Sequence, residues 1–187
     1  PWGYRHKARL GVKYVYKKGG ALVGFREINT GFIVDMQSCP VLAPEIGENI
    51  STLREFISEL DAKDSIPQIE VAITKTQTAL IFRHLEPLSE SDLNKLNNLS
   101  NNKNWKIYLQ PKGPDSIKLL TSDLNINNND LLNYELTDFD LKFYFHPSDF
   151  TQVNPNINQK MISQAIKLLD LNKDDNLLDL FSGIGNF

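Results

Sequence analysis

The sequence predicts an α+β fold: an antiparallel-sheet domain over residues 1–148, followed at residues 149–187 by the first helix–strand unit of a doubly wound α/β domain. Three observations predict it. Apolar and polar residues alternate in paired runs separated by short turn sequences. Helical spacing interrupts those runs twice, after Pro44 and after Ser89. From Asn154 onward the order becomes capped helix, apolar run and Gly-x-Gly turn, as in open α/β sheets.

The elements follow in order. "ARLGVKYVY", "KKGG" and "ALVGFRE" make a β-hairpin, with Leu10, Val12, Tyr14 and Tyr16 on one face and a Gly-rich turn between the strands. "GFIVDM" reads as a third strand. In "PEIGENISTLREFISEL" the residues Ile46, Ile50, Leu53, Ile57 and Leu60 recur at helical spacing, and Pro44 suits a first turn. "QIEVAITK" and "TALIFRHL" form a second hairpin around "TQ". "SESDLNKLNNL" is a shorter helix capped by Ser89 or Ser91. "WKIYLQP" and "SIKLLT" are further strands, the Asn-rich "SDLNINNNDLLN" a surface loop, and "LTDFDLKFYFHP" a last strand or hairpin. Asn154 and Pro155 then cap and open a helix whose apolar face is Ile157, Met161, Ile162, Ala165, Ile166 and Leu169. "NKDD" connects it to "NLLDLF", an apolar run suited to a buried parallel strand.

Bulk properties narrow the class. The 187 residues are 41% hydrophobic and 23% charged, the composition of a globular domain, and no apolar run nears the roughly 18 residues that span a bilayer. The start "PWGYRHKARL" has neither an initiating Met nor the apolar stretch of a signal peptide. The sequence is therefore expected to be a piece of a longer chain, cut at both ends. A single cysteine rules out an internal disulfide framework, and a cytoplasmic setting without a membrane partner is expected.

The net charge of −3 hides an asymmetry. Residues 1–27 hold seven bases (Arg5, Lys7, Arg9, Lys13, Lys17, Lys18 and Arg26) against Glu27, while the remainder holds 13 bases and 22 acids. A basic patch on an acidic chain suits nucleic-acid phosphates. It equally suits an edge strand guarded by Lys and Arg against aggregation.

Two further segments carry chemistry. In "LLDLFSGIGNF", Asp179 stands in the expected strand, and Gly183 and Gly185 stand just beyond its carboxyl end, where ligands of α/β sheets bind and where a missing Cβ lets them approach the backbone. A dinucleotide fingerprint would read Gly-x-Gly-x-x-Gly directly after the strand, and Asn186-Phe187 following the Gly pair departs from it. The run resembles instead the first motif of S-adenosylmethionine-dependent methyltransferases. One helix upstream, "DFTQVN" (149–154) completes a resemblance to the "F-x-Q-V-N … L-D-L-F-x-G-x-G-N-F" signature of the RNA 5-methyluridine methyltransferases. "PWGYRHKARL", "VGFRE" and "VDMQSCPVL" resemble the branch of that family that modifies 23S ribosomal RNA rather than its tRNA branch.

The resemblance spans essentially the whole chain and implies a Rossmann-like S-adenosylmethionine-binding domain entered at residue 149. It implies that Gln152, Phe181 and Asn186 contact S-adenosylmethionine while Asp179, Gly183 and Gly185 shape the same loop. Phe150 is expected near the cofactor and a flipped target base. Arg5, Lys7, Arg9 and Lys13 are the expected contacts to 23S ribosomal RNA phosphates, with His6 beside them, and no protein partner is implied. Cys39, in the "C-P-x-L" element, occupies the place of the family's fourth [4Fe-4S] ligand. The other three lie upstream of "PWGYR" in the family, so Cys39 is expected to be a free thiol here.

In the family a cysteine thiolate adds to C6 of uracil, C5 then takes the sulfonium methyl, and a carboxylate removes the C5 proton as the cysteine is expelled. Both groups, and the acid that binds the cofactor ribose, are expected beyond residue 187, which leaves no catalytic residue in this chain. The alternatives are the tRNA branch, another rRNA enzyme of the family, or a non-catalytic RNA-binding module.

Overall fold

A computed structural model describes residues 2–120 and 131–185. Most of the 122–133 loop expectation, with Asn186 and Phe187, lies outside them. A six-stranded sheet is built from β1 (Lys7–Val15), β2 (Gly20–Gly24), β3 (Gln68–Ile73), β4 (Thr78–Arg83), β5 (Trp105–Gln110) and β6 (Lys118–Leu119), in the order β2-β1-β3-β4-β5-β6. Every pairing is antiparallel except β4–β5. That parallel step is bridged by a helix, as parallel strands require. The expected antiparallel α+β architecture is therefore present.

Both faces of the central strands are covered, which is why they read as almost continuous apolar runs. On one face Ile69, Val71, Leu80, Phe82 and Ile107 pack with Leu53, Ile57, Leu96 and Leu99 from α2 (Ile50–Glu59) and α3 (Glu90–Lys103). On the other, Ala72, Ala79, Ile81 and Tyr108 meet Leu132 and Phe145, contributed by the hairpin of β7 (Leu132–Leu136) and β8 (Leu141–Phe145). Period-2 alternation sends successive residues of β3 and β4 into two different cores.

Three expectations need correction. The helix expected through 44–60 is broken into α1 (Pro44–Gly47) and α2. At the break Cys39 N–H donates to the Gly47 carbonyl at 2.9 Å and Ser51 N–H donates to the Gln37 carbonyl at 3.2 Å. The 51→47 helical bond is thus replaced by two bonds to the 37–39 segment. Gly47 permits this close pass, because a Cβ there would sit 2.4 Å from the Cys39 carbonyl oxygen. "GFIVDM" is not a strand. It returns across β1 with one bridge, Arg26 to Ile33, and Ile33 lies over Gly11, where a Cβ would come within 3.1 Å of it.

The third correction is the terminal strand. Residues 176–181 have no strand pairing, and Leu177, Leu178, Leu180 and Phe181 are exposed. A parallel strand gains its stability from ladders on both sides and cover on both faces, and no described strand pairs with this run. The preceding helix does form as α4 (Pro155–Leu169), its first turn closed by Ile157 N–H donating to Asn154 Oδ1 at 3.1 Å. Its apolar face stays largely open: only Asn158 and Ile162 are buried.

α3 follows its expectation more closely. Ser89 caps it, accepting from Asp92 N–H at 3.1 Å, and the helix ends where Asn104 turns left-handed at φ 54°. The Asp92 carboxylate is fully buried and accepts the N–H groups of Asp61 and Ala62 at 2.8 and 3.0 Å. It fixes the α2–β3 connection to the start of α3. Asp92→Ala would remove the buried carboxylate that both N–H groups donate to, and urea denaturation is expected to show a loss of about 2–4 kcal/mol.

The chain between β8 and α4 is held by Lys7. Its ammonium donates to the carbonyls of Pro147 and Asp149 at 2.5 and 2.6 Å, and His6 N–H donates to the Val153 carbonyl at 2.8 Å. Burial pushes the Lys7 pKa below its ordinary 10.5, so the unfolded chain holds that proton more tightly than the folded one. Stability from this group rises with pH between the lowered value and 10.5. Lys7→Met removes both bonds, and hydrogen exchange at the His6 amide is expected to accelerate as about 1–3 kcal/mol of local stability is lost; unchanged exchange would show that the segment is held by other contacts.

Candidate functional site

A cavity of about 790 Å³ opens where the elements of the two cores meet the end of the described chain. Three segments enclose it. One is the run Phe150–Gln152 with the first turn of α4, one is the loop Asp179–Ile184, and the third is the sheet side, formed by β7 and the β3–β4 turn Thr74–Thr76. Phe150, Gln152, Asp179, Phe181 and Gly183, all singled out in the sequence, line this one space. Gly185 adjoins it without lining it, and Asn186 lies outside the described residues.

The loop owes its shape to backbone signs. Phe181, Gly183 and Gly185 have φ of 61°, 61° and 74°, alternating left-handed positions closed by Gly185 N–H donating to the Ser182 carbonyl at 2.9 Å. No atom stands within 4 Å of a Cβ built at Gly183 or Gly185. The glycines are thus required by φ and leave open space above the backbone. Phe181 is the exception, a bulky residue held left-handed and fully exposed.

The volume lies within the range of about 300–1,000 Å³ typical of small-molecule sites, and the lining mixes aromatic rings with Gln152 and Asp179. Those residues fit a ligand such as S-adenosylmethionine, which combines an aromatic base, hydroxyls and a charged amino acid. Deeper in the wall Tyr134 stacks on Phe143 at 5.2 Å, and burial pushes its pKa up to about 12. The phenol therefore stays protonated at neutral pH.

The expected RNA contacts are elsewhere and are not alike. Lys7, Arg9 and Lys13 share one face of β1, but the Lys7 ammonium is committed to Pro147 and Asp149. That withdraws it from the expected phosphate contact. Arg9 is exposed and pairs with Glu70 at 2.9 Å, and Lys13 is exposed. The Arg5 guanidinium lies 5.9 Å from the Phe25 ring centre, and its buried Nε makes no hydrogen bond. His6, by contrast, lines the cavity, its Nδ1 3.0 Å from the Tyr4 carbonyl oxygen.

Cys39 is a buried free thiol in the segment that breaks the α1–α2 helix. Among the described residues no group of three or more His, Cys, Asp or Glu side chains stands together to hold a metal ion. One thiolate does not fit a [4Fe-4S] cluster, which takes four, and no step is derived through one. No helix among the described residues is long and apolar enough to cross a membrane. Sequence reasoning missed the β3–β4 turn as part of the cavity. Its signal is "TKTQT" (74–78), a polar run between two apolar strands.

Residues 39–187 match the family model described as tRNA (Uracil-5-)-methyltransferase. Among curated relatives, the chain is 47% identical over 186 residues to a 23S rRNA (uracil(1939)-C(5))-methyltransferase RlmD of Paracidovorax citrulli, covering 100% of this chain and 37% of that protein. It is 48% identical to the protein of the same name from Francisella tularensis subsp. novicida, covering 99% of this chain and 41% of that one. The chain thus spans about two fifths of the length of these relatives. Its fold resembles that of the Pyrococcus abyssi tRNA (uracil-54, C5)-methyltransferase solved with S-adenosyl-L-homocysteine, at a TM-score of 0.67 and 22% identity, over 100% of this chain and 45% of that one. With a family model that covers all but the first 38 residues, this chain belongs to the tRNA (uracil-5-)-methyltransferase family.

Proposed function

We propose that this chain is part of a 23S rRNA (uracil-C5)-methyltransferase, with residues 1–148 forming its central RNA-facing domain and residues 149–187 the entry to its methyltransferase domain. The observation that carries the reading is the single cavity lined by Phe150, Gln152, Asp179, Phe181 and Gly183. Two motifs separated by a 15-residue helix meet in one space. The names of the two RlmD relatives favour ribosomal RNA over tRNA as the substrate.

S-adenosylmethionine supplies an electrophilic methyl group when bound. This chain's residues hold and orient it: the open backbone at Gly183 accepts the cofactor closely, Gln152 offers amide hydrogen bonds, and Phe150 and Phe181 offer ring faces to the adenine and the target base. The reaction runs through addition of a cysteine thiolate to C6 of the uracil, which makes C5 nucleophilic toward the methyl group, followed by loss of the C5 proton to a carboxylate with release of the thiolate from C6. Neither group comes from this chain. Its one cysteine, Cys39, does not line the cavity, and in the whole protein it serves as one ligand of a [4Fe-4S] cluster completed by three thiolates from outside this chain. Arg9 and Lys13 face RNA phosphates.

Two measurements test this. The 187-residue chain alone is expected to transfer no labelled methyl group to unmodified 23S rRNA, whereas the whole protein does; transfer by the chain alone would refute the assignment of the chemistry. In the whole protein, Gln152→Ala and Gly183→Val are each expected to weaken S-adenosylmethionine binding at least about tenfold by calorimetry, the loss of one hydrogen-bonded anchor or of the left-handed loop. Unchanged affinity in both would remove the cavity from the cofactor site.

A further inference from the structure

The cavity has a side that the cofactor loop does not account for. The β3–β4 turn contributes Thr74, Lys75 and Thr76 to its lining, facing across to the segments at Phe150–Gln152 and Asp179–Ile184. Lys75 is the one lysine or arginine among the described lining residues, and it is exposed. Two carboxylates, Asp179 and Glu135, line the same space, and Glu135 is already paired with Lys142 at 3.5 Å. No hydrogen bond or ion pair engages the Lys75 ammonium among the described residues.

The turn that carries Lys75 is rigid. Thr74 N–H donates to the Gln77 carbonyl at 2.8 Å, and Thr74 Oγ1 accepts from Gln77 N–H at 3.1 Å and from Thr76 N–H at 3.4 Å. Gln77 Oε1 in turn accepts from the backbone N–H and the side-chain amide of Asn133, both at 3.2 Å, so the turn is tied to β7 behind it. A long flexible side chain is thus mounted on a fixed base at the mouth of the cavity.

We propose that Lys75 binds a backbone phosphate of the RNA strand whose uridine enters the cavity, so that the β3–β4 turn positions the target nucleotide opposite the cofactor loop. The inference rests on the methyltransferase reading above. Its argument is the distribution of charge. A base can be carried into the cavity, but its phosphate is costly to desolvate, and on the glycine-loop side it would meet the carboxylate of Asp179. The phosphate therefore stays at the rim, and Lys75 is the cation standing there. Lys75 is a positioning residue and takes no part in the chemistry.

The test uses the whole protein with an unmodified 23S rRNA fragment. Lys75→Ala is expected to raise the Kd for RNA several-fold and to reduce the slope of log Kd against log salt by about 0.7 to 1, the signature of one lost phosphate contact. Lys75→Arg should restore both, and the Kd for S-adenosylmethionine should stay within twofold in every variant. A fall in cofactor affinity with RNA binding intact would overturn the proposal, assigning Lys75 to the cofactor's carboxylate. No change in either affinity even in Lys75→Glu would overturn it as well. The methyltransferase reading fails separately: it is lost if the unsubstituted protein neither binds nor methylates the rRNA fragment.

Discussion

The arrangement depends on one half-buried cation. Lys7 lies on the first strand of the sheet, and its ammonium reaches the carbonyls of Pro147 and Asp149, more than a hundred residues away in sequence. Those carbonyls belong to a segment without a strand or helix of its own, which must satisfy its polar backbone in some other way. A desolvated lysine is expensive, and the lowering of its pKa shows the cost. Two short charge-assisted bonds offset it. Together with the His6–Val153 bond they bring Phe150 and Gln152 to the end of the sheet beside His6 and the β3–β4 turn.

The same constraint explains why the basic N-terminal stretch divides. In composition Lys7, Arg9 and Lys13 are equivalent, and period 2 puts them on one face of β1. What differs is what crosses that face. The 147–149 segment lies over Lys7, and the returning 25–34 excursion lies over Gly11 between Arg9 and Lys13. A charge count finds such a patch but does not tell an internal clamp from an exposed cation, because the covering segments come from distant sequence.

Local signals were legible and long-range ones were not. The Asn154–Pro155 pair, the Ser89 cap and both hairpins are decided within a few residues, and they stand where capping and turn chemistry put them. The break after Gly47 is set by Cys39 and Gln37, which take over a helical hydrogen bond from outside the helix; apolar spacing carries no trace of that. "NLLDLF" has the composition of a buried parallel strand, yet a strand is a property of a ladder and its cover, and among the described residues this run has neither. In the site, the Asp179–Ile184 and Phe150–Gln152 walls could be read from motifs. The Thr74–Thr76 wall could not, because packing of the β3–β4 turn against β7, through Gln77 and Asn133, brings it there.

These walls come from structurally different sources, and the difference suits the proposed two-substrate reaction. The loop Asp179–Ile184 and the open face of α4 belong to a layer held by few buried contacts, with Asn158 and Ile162 alone buried along the helix. The opposite wall is the end of a sheet whose residues are packed on both faces and hydrogen-bonded through Thr74, Gln77 and Asn133. Local stability follows buried contacts, so the sheet wall is the fixed reference and the glycine-loop wall is the one able to adjust. For the proposed methyl transfer, the sheet wall is the fixed edge against which a nucleotide drawn out of its stack would be aligned. The Lys7 clamp connects the two. It ties the Phe150–Gln152 segment to the rigid sheet, while the glycine loop beside it is largely exposed.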